Sequence, residues 1–196
     1  MIFVGLTGGI GSGKSEALAA CKRLGAAVLS SDEVVHELLS TQEVVDMLAD
    51  RWGKEILSNG GVNREAVAEI VFERLDELAW LEGVLFPRVG RRMATWRSEL
   101  ESQADGPDVG VVEVPLLFEA GVDGVFDATV AVVADEALRE ERAQAREHRA
   151  LGGREARQLS QEEKASRADY VVRNDGTLEE LEEAMGRVLK ELKAAT

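Results

Sequence analysis

The chain has 196 residues, enough for one ordinary core and short of two full domains. Its 23 Lys and Arg against 37 Asp and Glu give a net charge of −14, which disfavours a broad basic face for nucleic acid or an anionic membrane but leaves room for an anion in a small local site. One Cys and two His exclude an intrachain disulfide and a Cys- or His-rich metal centre. No apolar run is long enough to span a membrane, and the apolar start runs straight into glycines without a basic leader region. The expectation is a soluble, cytoplasmic monomer with no nucleic-acid or membrane partner.

Residues 2–7 form the first predicted strand. Further short runs of Val, Ile and Leu follow at 26–29, 109–114, 128–133 and 169–172. Near-continuous apolar runs suit strands buried on both faces, and longer amphipathic stretches lie between them. The fold class is therefore α/β: a five-stranded parallel sheet with helices on both faces and right-handed crossovers.

Between the first strand and an amphipathic stretch (Ala17, Leu18, Cys21, Leu24) stands Gly8-Gly9-Ile10-Gly11-Ser12-Gly13-Lys14-Ser15. It fits G-x-x-x-x-G-K-[ST], and strand before and helix after is the context that identifies a phosphate-binding loop. The glycines let the amides of Gly9, Ile10, Gly11, Ser12 and Gly13 curl round a phosphate, and a helix N-terminus adds its dipole. Lys14 is expected on the β- and γ-phosphates of ATP and the Ser15 hydroxyl on Mg²⁺. A dinucleotide fingerprint fails, because Lys14 and Glu16 stand where its third glycine is needed. A GTPase fails as well: after the late strand the chain reads Arg173-Asn174-Asp175-Gly176, not N-K-x-D.

Asp32 follows the second strand, at the edge where open α/β sheets bind ligands. It could orient an acceptor hydroxyl and take its proton late, or simply be a carboxylate favoured in a helix's first turn. Some 80 residues separate the second and third strands where a crossover needs about a dozen. The surplus, 33–103, reads as a helical acceptor-binding lobe inserted in a core of 1–32 and 104–196. Helix starts are marked by Ser30-x-x-Glu33, Ser40-x-x-Glu43, Ser160-x-x-Glu163 and Thr177-x-x-Glu180, and by Asn63 and Asp135. A stripe at Leu85, Val89, Met93, Trp96 and Leu100 predicts a helix with Pro87 in its first turn. Glu113, ending the third strand, could touch the water shell of Mg²⁺. Arg139, Arg142, Arg146 and Arg149 share one helix face, which suits phosphate; nearby Glu136, Glu140, Glu141 and Glu147 would equally suit a solvated face. With Gly152-Gly153, residues 139–158 read as a lid.

With these residues in hand the chain resembles the dephospho-CoA kinases. The resemblance rests on residues 5–15, on Asp32, on Val114-Pro115-Leu116-Leu117-Phe118-Glu119, and on residues 168–176, Ala-Asp-Tyr-Val-Val-Arg-Asn-Asp-Gly. Arg142-x-x-x-Arg146 and the later Gln158, Glu163 and Lys164 are similar to that family's lid and following helix. The resemblance implies a nucleoside-monophosphate-kinase-like P-loop fold with a helical CoA lobe and a lid. It also implies transfer of the ATP γ-phosphate to the ribose 3′-hydroxyl of dephospho-CoA, the last step of coenzyme A synthesis. It makes Asp32 the catalytic carboxylate, aided by Lys14 and Arg142. It puts Arg146 on the phosphates, Asn174 near the adenine, and Arg64, Leu116, Leu117 and Glu119 near the acceptor. Glu16, Ser30 and Phe86 depart from the family pattern. Another P-loop metabolite kinase and a nucleotide-gated binding protein are the alternatives.

Overall fold

In the computed structural model the residues described are 1–58, 61–145 and 158–195. Arg146, Arg149 and Gly152-Gly153, with most of the expected lid, lie outside them. The described chain divides into two compact units, Met1–Ser31 with Arg97–Thr196, and Asp32–Trp96.

The first unit is built on five parallel strands: β1 (Ile2–Gly8), β2 (Ala27–Ser30), β5 (Val109–Glu113), β6 (Ala128–Val133) and β7 (Tyr170–Arg173). Their order across the sheet is β2-β5-β1-β6-β7. β1 is central, with Leu6 opposite Glu113 on one side and Gly8 opposite Val132 on the other. Ser30 also pairs in register with Glu113. The chain leaves β1 for β2, skipping β5, so the order reverses beside the carboxyl end of β1, the place where such sheets leave a ligand crevice.

Side chains alternate across β1. Val4 and Leu6 join a core with Ala17, Ala20 and Cys21 of α1 (Lys14–Arg23), and with Leu181, Met185, Val188 and Leu192 of the last helix, α8 (Leu178–Ala194). Burial pushes the Cys21 thiol up to about 12, so it behaves as a small core residue. On the other face Phe3 stacks on Phe126 at 5.1 Å, and Arg97, paired with Asp127, lies 5.0 Å over the Phe3 ring. Two further helices belong to this unit, α6 (Glu136–Ala145) and α7 (Gln161–Arg167). The Ser160–Glu163 and Thr177–Glu180 capping boxes both form, and the Asp135 carboxylate accepts from the Ala137 N–H.

The second unit takes in nearly all of α2 (Ser31–Leu38), then α3 (Gln42–Trp52), α4 (Arg64–Glu73) and most of α5 (Leu75–Glu101). It also holds a short antiparallel pair, β3 (Leu57–Ser58) and β4 (Gly61–Val62). Val44, Leu48, Ile56, Val67, Val71, Leu81 and Leu85 form its own core. The Glu77 carboxylate is buried there, accepting from Arg51 (3.0 and 3.1 Å) and the Trp52 indole (2.8 Å), with Arg74 at 3.1 Å.

Two local expectations are corrected. Pro87 lies well inside α5, which starts at Leu75, because the apolar face runs back through Leu85, Leu81 and Leu78. Beside the proline, the Arg88 guanidinium donates to the Val84 carbonyl at 2.7 Å. The Ser40–Glu43 box does not form: Thr41 is the N-cap of α3, Ser40 donates back to the His36 carbonyl, and Glu43 pairs with Arg88. The β3–β4 pair was absent from the sequence reading.

Candidate active site

The loop follows β1 directly and opens α1 at Lys14. Gly11 (φ 75°) and Gly13 (φ 91°) hold left-handed backbone that a side chain would strain. Gly13 is the N-cap of α1 and has no side chain with which to cap it. The first-turn amides are therefore left for an anion.

Lys14 Nζ donates to the Gly9 carbonyl at 2.9 Å, which folds the lysine over the loop. The Ser15 hydroxyl is on an exposed residue of the same first turn. Ser12 is fully buried, and its Oγ has no hydrogen-bond partner among the described residues. Asn174, at the end of β7, is 5% exposed and donates its side-chain amide to the Ser12 carbonyl at 2.8 Å. The residue expected near the adenine is thus engaged with the loop itself. Arg142 Nη1 donates to the Asn174 carbonyl at 2.9 Å. Arg139 Nε donates to the Ile10 carbonyl at 2.9 Å, and its Nη1 pairs with Glu136 at 2.7 Å. The structure thus brings Lys14, Ser15, Arg142, Asn174 and the loop together, with Arg139 added. Arg146 lies outside the described residues.

In the Val114–Glu119 run Leu117 and Phe118 are buried and the other four residues are half-buried. Leu117 is fully buried, and its Cδ1 would sit 2.5 Å from a Cβ placed on Gly5. It packs as core against β1. Leu116 is half-buried. Glu119 Oε1 accepts from Lys164 Nζ and from the Leu159 N–H, both at 2.8 Å, while Oε2 is buried without a partner among the described residues. Glu113 is buried at the end of β5.

Lys164 is the residue that the sequence reading left without a role. It is completely buried. Its ammonium donates to the Pro115 carbonyl (2.7 Å), Glu119 (2.8 Å) and the Thr7 hydroxyl (3.5 Å). Burial pushes the ammonium below the ordinary lysine value, and Glu119 pulls partly the other way. One turn earlier on α7, Gln161 holds the Ala134 backbone at both its N–H (2.9 Å) and its carbonyl (3.0 Å). α7 therefore grips the carboxyl ends of β5 and β6. The available signal was the Ser160–Glu163 box, which fixes the helix phase and puts Gln161 and Lys164 on one face.

A cleft of about 450 Å³ opens beside the loop, lined by Gly9, Ile10, Arg139, Ala143, Gln158 and Ser160 among others. A second, of about 530 Å³, lies by Met1, Pro107 and Lys193, near the amino ends of β1 and β5 and so at the wrong edge for this site.

In the other unit, Asp32 is an exposed residue in the first turn of α2. His36 stands one turn on, and its Nδ1 lies 2.8 Å from Arg64 Nη1. Among the described residues no helix is long and apolar enough to cross a membrane, and no three His, Cys, Asp or Glu cluster to hold a metal.

A profile of the dephospho-CoA kinase family matches residues 2–180. A curated dephospho-CoA kinase of Protochlamydia amoebophila is 40% identical over 199 residues, spanning 97% of this chain and 96% of that protein. The crystal structure of a Thermus thermophilus protein is similar with a TM-score of 0.78 at 36% identity, over 97% of each chain. The dephospho-CoA kinase of Campylobacter jejuni shares the fold, with a TM-score of 0.72 at 21% identity over 99% of this chain and 98% of that one. By profile and by full-length identity, the chain belongs to the dephospho-CoA kinase family.

Proposed function

We propose that the protein transfers the γ-phosphoryl group of ATP to the ribose 3′-hydroxyl of dephospho-CoA, giving coenzyme A and ADP. The carrying observation is the glycine loop: a turn held open in left-handed backbone at the carboxyl edge of a parallel sheet, with an uncapped helix start and a lysine folded over it. The buried, partnerless Ser12 hydroxyl supports the same reading, since an unsatisfied buried hydroxyl is costly and a phosphate oxygen would relieve it.

In this reading the loop amides and Lys14 hold the triphosphate, and Arg142 adds positive charge at its far side. Phosphoryl transfer needs little covalent help, so positioning and charge carry most of the rate. Mg²⁺ would be held by the Ser15 hydroxyl, with Glu113 reaching its water shell. Such a sparse donor set suits a cation that keeps several waters and takes its other ligands from phosphate. When bound, the ion supplies neutralisation of charge on the phosphate oxygens. Asp32 orients the acceptor hydroxyl and accepts its proton late. Arg64, which lies beside His36, and Leu116 are acceptor-binding residues in this reading; Leu117 and Glu119 act from within the fold.

The test is ADP release from Mg·ATP with dephospho-CoA, AMP or shikimate as acceptor. Release with dephospho-CoA alone is expected, and release only with another acceptor refutes the assignment. Asp32→Asn should keep ATP affinity and lose at least ~100-fold in kcat, the scale of a positioned acid–base group. Near-normal turnover in that variant would remove Asp32 from the chemistry.

A further inference from the structure

Four glycines in six residues make the segment Gly8–Gly13 intrinsically floppy. A floppy cradle must be ordered on binding, and that cost comes out of affinity. In this structure much of the hold on the loop comes from far away in sequence. Arg139, 129 residues on from Ile10, donates Nε to its carbonyl. Asn174, 162 residues on from Ser12, donates Nδ2 to its carbonyl. A local side-chain hold is Lys14 on Gly9, and its task is to move to phosphate.

Each hold has a geometric consequence. The peptide bonds of the loop are trans, so the carbonyl of one residue and the N–H of the next point in opposite directions from one rigid plane. Fixing the Ile10 carbonyl therefore fixes the Gly11 N–H, and fixing the Ser12 carbonyl fixes the Gly13 N–H. These are two of the amides that a phosphate needs.

The fit is close at both points. A Cβ on Gly13 would fall 2.0 Å from Asn174 Nδ2, and one on Gly11 would fall 2.4 Å from the Arg139 carbonyl. The loop glycines thus leave room for the struts as well as for the turn. The struts are themselves braced: Glu136 pairs with Arg139, and Arg142 holds the Asn174 carbonyl. We propose that Arg139 and Asn174 are positioning residues that preorganise the phosphate cradle, each by clamping one loop carbonyl so that the following amide faces the nucleotide.

This inference rests on the reading of the loop as a nucleotide phosphate site, and its experiment separates the two. Backbone amide order parameters are measured by NMR relaxation on the ligand-free full-length protein, and ADP binding is measured by calorimetry, for wild type, Arg139→Leu, Arg139→Lys, Asn174→Ala and Asn174→Asp. Without ligand, the Arg139 variants should lower the order parameter at Gly11, and the Asn174 variants at Gly13, with the sheet amides unchanged. Lysine keeps the charge but loses the Nε donor, so Arg139→Lys should fail to restore the order. ADP affinity should fall about tenfold per strut, the scale of one lost charge-assisted or buried hydrogen bond. In turnover, the KM for ATP should rise while the KM for dephospho-CoA stays within about twofold. Wild-type order at both glycines in the variants would overturn the proposal, as would rescue by Arg139→Lys or uniform loosening of the sheet. Failure of the wild-type protein to bind ADP would sink the reading of the loop, while the order parameters would still decide on the struts.

Discussion

Replacing Lys164 by methionine should unfold the protein far more readily than its conservative size suggests. The ammonium is fully buried, and it supplies the Pro115 carbonyl with its close donor and the Glu119 carboxylate with its only cationic partner among the described contacts. Methionine fills much of the same space but donates nothing. Glu119 would keep only the Leu159 N–H, with its Oε2 already unpartnered. Breaking one side of a buried ion pair costs about 3–5 kcal/mol, because the charge left behind stays desolvated. That is a large share of the ~5–15 kcal/mol that holds a domain together. At ~2–4 °C per kcal/mol for a chain of this size, the melting temperature should fall by ~6–20 °C. Removing the orphaned charge tests the cause. Lys164→Met with Glu119→Gln keeps an acceptor for Leu159 and should recover more than half of the loss, read by calorimetry and circular dichroism as a double-mutant cycle. A loss below ~1 kcal/mol for Lys164→Met, or no recovery in the double variant, would refute the argument that the buried charge pair is what fixes α7 on the sheet.

The helical unit should lose stability in acid. Hydrogen bonds from Arg51 and then Trp52 hold the Glu77 carboxyl below the ordinary glutamate range, so the unfolded chain binds that proton more tightly. The stability it contributes is present above the ordinary value near 4.5 and is lost as pH falls through the lowered native value. Glu77→Gln should lower the melting temperature at neutral pH and flatten its decline in acid, and a parallel pH curve would refute this. Gly5→Ala should cost about 1–3 kcal/mol by overpacking, since the new methyl meets Leu117 at 2.5 Å and Phe126 at 2.9 Å. Stability equal to wild type in urea titration would show that this face of β1 has slack.

What could be read from the sequence was whatever is settled within a few neighbouring residues. The phosphate loop is of this kind, because Gly11 and Gly13 are demanded by their own backbone angles. The strand runs are another: 128–133 matches β6 as found, and β2 and β7 start one residue later than expected, since register with a neighbour and not composition sets a strand's ends. The β3–β4 pair had a signal that was passed over, Asn59-Gly60, a dipeptide that favours tight hairpins. Pro87 misled because a proline is taken as a helix start until the apolar face behind it is followed back to Leu78. Leu117 and Glu119 were found as a motif, but a motif does not say which side chains face inward.

The polar holds around the loop were illegible for a deeper reason. Arg139 to Ile10, Asn174 to Ser12 and Lys164 to Pro115 span 129, 162 and 49 residues, and no periodicity pairs such positions. They meet only because five strands end at one edge. The same edge is where the chain places its buried lysine, a buried glutamine and a buried asparagine. Packed apolar side chains would hold strand ends at lower desolvation cost. They could not fix the direction of a carbonyl, and through the rigid peptide plane the direction of the next amide. Concentrated where a triphosphate must be met by oriented N–H groups, these hydrogen bonds trade stability for aim. The amino-end edge, where Asp108 and Lys193 pair in the open, has no such task.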